Sequence, residues 1–138
     1  MKRKEDKLMQ EENTKLSEPI GALCSLLDHA PAKFDYHYQK VGEMDKLTQD
    51  YLHMVELQEL YDMELVKFAE ELRDCRRERR TYKDICDRLQ PLIDFLETDK
   101  GKAAHNQLKQ LLGRVRDAEK RQENRQYIPR ILKEEEWK

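Results

Sequence analysis

The chain has 138 residues, 41% of them charged and 38% hydrophobic, and its formal net charge is −2. This length suits one domain, the charge balance excludes a simple polycation for nucleic acid, and one Trp with three Phe cannot fill a thick globular core. Four Gly and four Pro leave little for loops, so the expected fold class is all-α, an elongated helical hairpin or coiled-coil bundle.

Residues 1–16 (MKRKEDKLMQEENTKL) offer only Leu8, Met9 and Leu16 for burial and read as a solvated arm, with nothing like a signal peptide. Ser17, Glu18 and Pro19 follow as an N-cap, a first-turn acid and a first-turn proline. A helix over 18–29 is predicted, with Ile20, Leu23, Leu27 and Ala30 on one side and Pro31 as its end. Residues 31–42 carry the aromatic group Phe34, Tyr36, His37 and Tyr38, which suits a linker packed under the helices it joins. Stacking on bases is the alternative.

A long helix over 40–97 is the centre of the reading. Leu47, Tyr51, Met54, Gln58, Tyr61, Leu65, Phe68 and Leu72 are spaced alternately by four and three. Cys75, Arg79, Tyr82, Cys86, Leu89, Ile93 and Leu96 continue the pattern. Such a 3.5-residue period marks helix-on-helix packing. Pro91 sits on the outer side and predicts a kink or break. Asp99, Lys100 and Gly101 read as a turn into an antiparallel return helix over 102–125, with Ala104, Leu108, Leu111, Val115 and Ala118 inward. Pro129 stops it, and 126–138 is a short tail. At 1.5 Å per residue the long helix would reach about 85 Å and the return helix about 35 Å, so the latter covers only the second half. The first half would need cover from the N-terminal helix or from another copy of the chain, and Ile20 to Ala30 supply only three turns, which favours the second copy. Leu47, Tyr51, Met54, Gln58, Tyr61, Leu65, Phe68 and Leu72 are therefore expected to form an oligomer seam, a dimer being favoured.

Charge is unevenly laid out. Residues 43–71 hold nine acids against Lys46 and Lys67, after which the sign reverses. Arg73, Arg76, Arg77, Arg80 and Lys83 fall within about a third of the helix circumference, with like charges one turn apart. A second basic run contains Arg114, Lys120, Arg121 and Arg125, and a hairpin at Gly101 would bring the two runs together as one patch. Arginine predominates, which favours bidentate contacts to carboxylate or phosphate. The patch could meet the chain's own acids (Glu134, Glu135, Glu136), a second chain, an acidic protein partner or nucleic acid. Arg79 and Gln58 are polar at seam positions, where such residues set register or, for Arg79, snorkel.

No motif for catalysis stands out. The glycines at 21, 42, 101 and 113 form no phosphate loop, and Ser17 and Ser25 lie in no nucleophile motif. His53 and Glu56 reverse the order used in di-metal bundles and have no second copy, and Cys24, Asp28 and His29 lack paired cysteine spacing for zinc. No cofactor, metal or enzymatic activity is expected. Three cysteines, two of them on the stripe, read as buried free thiols, and no apolar run is long enough to span a bilayer, so a cytoplasmic location without a membrane partner is expected.

The run LQELYDMELVKFAEELRDCRRERRTYKDICDRLQPLIDFL, with LKQLLGRVRDAEKRQENRQYIPRIL after it, resembles small coiled-coil proteins of Gram-positive bacteria and their phages. The likeness is one of texture and size over about the last two thirds of the chain. It implies a non-catalytic role as an accessory binder or inhibitor of host machinery. The expected function is thus a self-associating coiled-coil protein that binds a macromolecule, a protein before nucleic acid, with a purely structural oligomer as the remaining reading.

Overall fold

A computed structural model describes residues 1–13 and 15–137. The chain is an all-α helical bundle, with five helices and no strand among the described residues: α1 (Lys2–Asn13), α2 (Ser17–Leu57), α3 (Asp62–Glu97), α4 (Asp99–Glu123) and α5 (Glu134–Trp137). Its residues sort into two compact units. One comprises Met1–Cys24 with Asn106–Lys138, and the other comprises Ser25–His105.

Several element boundaries differ from those expected. Helix α2 does not stop at Pro31 but runs through it and through the expected linker. A second stripe explains this: Ile20, Leu27, Phe34, Val41 and Thr48 recur every seven residues, and each is buried or half-buried. Cys24 and Ala30 lie on the same side and are buried, Ala30 completely. An interior proline costs a helix about 3 kcal/mol. Burial of a few aliphatic and aromatic side chains, at about 1.5–3 kcal/mol each, exceeds that. Pro31 itself faces solvent.

The expected long helix is not continuous. It ends at Leu57 and restarts at Asp62, so its two halves become α2 and α3 of an antiparallel hairpin within the second unit. The Tyr51 and Phe68 rings meet at 5.9 Å, and Thr48 Oγ1 lies 3.6 Å from Cys75 Sγ. As one straight helix those halves could not bury each other, which is the physical reason for the break. Local chemistry helps α3 to start. The Glu64 carboxylate accepts the Tyr61 N–H at 3.3 Å, and Asp62 and Glu64 place negative charge at the positive end of the helix. Pro91 does not end α3, which continues to Glu97 with Leu89, Leu92, Ile93 and Leu96 half-buried.

The third difference is at residues 98–101. No hairpin forms there, because Thr98 closes one helix and opens the next. Its N–H and hydroxyl both donate to the Phe95 carbonyl, at 3.1 and 2.6 Å, while its hydroxyl oxygen accepts the Gly101 N–H at 3.0 Å. A Cβ on Gly101 would collide with the Phe95 carbonyl oxygen and lie 2.6 Å from its carbon, so only glycine fits. Within each unit, α4 makes contact with α2. In the second unit His105 Nε2 is 2.7 Å from Asp28 Oδ1. In the first unit Leu112 and Arg116 lie against Gly21, and Glu119 reaches Ser17. Leu112 is buried where Leu111 was expected, and Leu111 is exposed.

The N-terminal segment also departs from a plain arm, since Lys2–Asn13 is helical, with Leu8 and Met9 exposed.

Candidate functional site

The arginine face of α3 belongs to the second unit and flanks its α2–α3 core. Cys75 anchors the core side: its thiol and the Thr48 hydroxyl both donate to the Met44 carbonyl, at 3.4 and 2.8 Å. One turn away, Asp45 of α2 accepts Arg79 Nε at 2.5 Å, and Arg76 Nη1 approaches the same carboxylate oxygen at 3.5 Å. Arg79 is thus an intrachain register contact rather than a side chain reaching for water. Gln58, the other polar seam position, lies exposed in the α2–α3 connection.

This pairing divides the patch. Arg76 is partly neutralised by Asp45, Lys83 Nζ pairs with Asp87 at 2.9 Å, and Arg73 Nε lies 3.8 Å from its neighbour Asp74. Arg77 and Arg80 are exposed and have no ion-pair partner among the described residues. Glu78, the nearest acid in sequence, accepts a hydrogen bond from the Tyr82 hydroxyl at 3.1 Å. That bond, burial and the Glu78 charge hold the Tyr82 phenol above its ordinary pKa, so it stays a donor.

Arg114, Lys120 and Arg121 are exposed on α4, and Arg125 lies just beyond it. They belong to the first unit, whereas the α3 run belongs to the second. Two acids interspersed in this run, Glu119 and Glu123, are engaged locally. Glu119 accepts the Ser17 N–H and hydroxyl at 3.1 and 2.8 Å, capping the start of α2, and Glu123 takes Lys15 at 2.7 Å. The Lys15 hydrogen bond and charge pull the Glu123 carboxyl below the usual carboxylate range, and Lys15 is raised in turn.

The expected oligomer seam also divides. Leu47, Tyr51, Phe68 and Leu72 are half-buried between α2 and α3, so the chain's own hairpin supplies cover that a second copy was expected to give. Met54, Gln58, Tyr61 and Leu65 are exposed near the connection.

Sequence reasoning missed a groove of about 350 Å³ on the second unit, lined by Phe34, Tyr38, Val41, Asp45, Arg79 and Cys86 among others. The seven-residue spacing of Phe34 and Val41 was the available signal. Phe34 stacks on Tyr38 at 6.0 Å, and His37 meets Tyr82 at 5.9 Å, so the aromatic group serves the hairpin. All three cysteines are free and buried, and burial pushes the Cys86 thiol up, away from the reactive thiolate. His53 and Glu56 are exposed, and among the described residues no three potential ligands are grouped to hold a metal. Among them, too, no helix is long and apolar enough to cross a membrane. No protein-family model, curated protein or solved structure matches the chain.

Proposed function

We propose that the chain is a non-catalytic helical interaction protein that binds an acidic macromolecular partner, a protein, through the arginine face of α3. The observation that carries this reading is the state of Arg77 and Arg80: exposed, close to Arg73 on the same face, and without an ion-pair partner among the described residues. Like charges spaced this way repel by a few tenths of a kcal/mol per pair, and an acidic surface relieves that repulsion. Guanidinium groups favour bidentate carboxylate contacts. Accessory binding or inhibition of host machinery, as the resemblance to coiled-coil proteins of Gram-positive bacteria and phages implies, is the same class of activity. Buried, unpaired thiols suit a reducing compartment, and we assign the protein to the cytoplasm.

Phosphate is the competing chemistry for the same guanidinium groups. Titration of the full chain with duplex and single-stranded DNA and RNA at two salt concentrations decides between them. Capture of an acidic protein from the native host that is lost with Arg77→Ala plus Arg80→Ala, together with no nucleic-acid binding at low salt, supports the proposal. Nucleic-acid binding that falls steeply with salt and with the same double substitution replaces it.

A further inference from the structure

Two surfaces on this chain are complementary in both charge and apolarity, and neither includes Arg73, Arg77 or Arg80. The first is the segment 124–133 (NRQYIPRILK), which follows α4 and has no regular secondary structure. It holds Arg125, Arg130 and Lys133 and no acid, while Tyr127, Ile128, Ile131 and Leu132 are 57–92% exposed. These four flank Pro129 within six residues, which concentrates the apolar side chains on one short stretch. Four large apolar side chains left in water on a short segment mark a surface made for contact.

The second surface is the tip of the α2–α3 hairpin in the other unit. Leu57, Tyr61, Met63 and Val66 are 59–86% exposed there, and Asp62, Met63 and Val66 line an open depression of about 250 Å³. At the tip Glu56, Glu59 and Asp62 have no ion-pair partner among the described residues, nor do Asp50 and Glu70, about two turns along the two arms. Tip against tip would set acid against acid. A basic, apolar segment complements the tip in both charge and apolarity, and the chain carries one.

We infer that segment 124–133 of one copy docks on the α2–α3 hairpin tip of a second copy, apolar side chains inward and Arg125, Arg130 and Lys133 against the acidic rim. The contact is between two different surfaces, so a reciprocal exchange closes a dimer and a one-way exchange builds an open chain. It does not depend on the function proposed above, because it uses different residues, and each test can fail alone.

Light scattering on the full chain gives the test. The expected result is a particle mass rising with concentration above 16.7 kDa and held at 16.7 kDa in the variant Ile128→Asp plus Ile131→Asp. Arg130→Glu, which leaves the apolar residues intact, should weaken assembly in the same direction. A labelled peptide of sequence NRQYIPRILK should bind the tail variant, more weakly as salt rises. Its affinity should fall about tenfold or more when Leu57→Ser and Met63→Ser are added. A wild-type chain that stays at 16.7 kDa throughout overturns the proposal, and with peptide binding to the tail variant it places the tail on its own tip instead. Assembly or peptide binding unchanged by the tip substitutions overturns it as well.

Discussion

Asp45 on α2 accepts Arg79 Nε of α3 at 2.5 Å, joining the two arms of the hairpin at a position that is apolar in most of the stripe. The Arg79 side chain is 22% exposed and Asp45 47%, so water still screens the pair. Asp45→Asn should therefore lower stability by only about 0.5–1 kcal/mol, read as a shifted urea midpoint with an unchanged slope. Asp45→Lys should cost more, because it sets a third cation against Arg76 and Arg79. A loss of several kcal/mol for the asparagine variant would show that the pair is more deeply desolvated than its exposure indicates.

Pro31 lies inside α2, faces solvent and deprives the Leu27 carbonyl of its usual donor. Pro31→Ala restores that donor and removes a ring clash. The variant should be more stable by about 1–3 kcal/mol and melt several degrees higher. Unchanged or lower thermal stability would mean that the backbone geometry set by proline is needed for packing around Ala30.

The joint between α3 and α4 should be intolerant of small changes. Gly101→Ala forces a methyl group onto the Phe95 carbonyl and should cost about 1–3 kcal/mol, although alanine normally favours helix. Thr98→Val keeps the shape and removes the hydroxyl that serves both helices, at a cost of about 1–2 kcal/mol. Thermal denaturation of both variants checks this, and a stabilised Gly101→Ala would show that the joint relaxes freely.

Acid and base should both weaken the Lys15–Glu123 pair, each through a different partner. Glu123 has a lowered pKa in the fold, so its contribution is complete above the ordinary glutamate range and is lost as pH falls through the lowered value. Lys15 has a raised pKa, so its contribution is complete below the ordinary lysine value and is lost as pH rises through the raised one. In Lys15→Met, NMR titration should find the Glu123 carboxyl raised from its position in the wild-type chain toward the usual carboxylate range. No movement would mean that the pair is not populated in solution.

Helix content, the stripe and the arginine face could all be read from residue types and spacing, because each depends on neighbours one turn away. The break at 58–61 could not. It contains neither glycine nor proline, and only contacts between α2 and α3, such as Tyr51 with Phe68, reward it. Pro31 misled in the opposite sense: a strong local stop signal lost to a seven-residue stripe from Ile20 to Thr48 that passes through it. The same limit applied to the patch. Arg73, Arg77 and Arg80 were found by helical angle, but the neutralisation of Arg76 and Arg79 by Asp45 links residues about thirty positions apart. The pairing of α4 with the start of α2 depended on Thr98 acting as a cap rather than on a turn at Gly101.

The three buried cysteines have a practical consequence. Cys24 lies in one compact unit, and Cys75 and Cys86 lie in the other. A thiol reagent can reach each sulfur only when its surroundings open, so labelling rates become clocks for local breathing. Mass spectrometry of the modified peptides would time the two halves of the molecule separately, with no engineered probe.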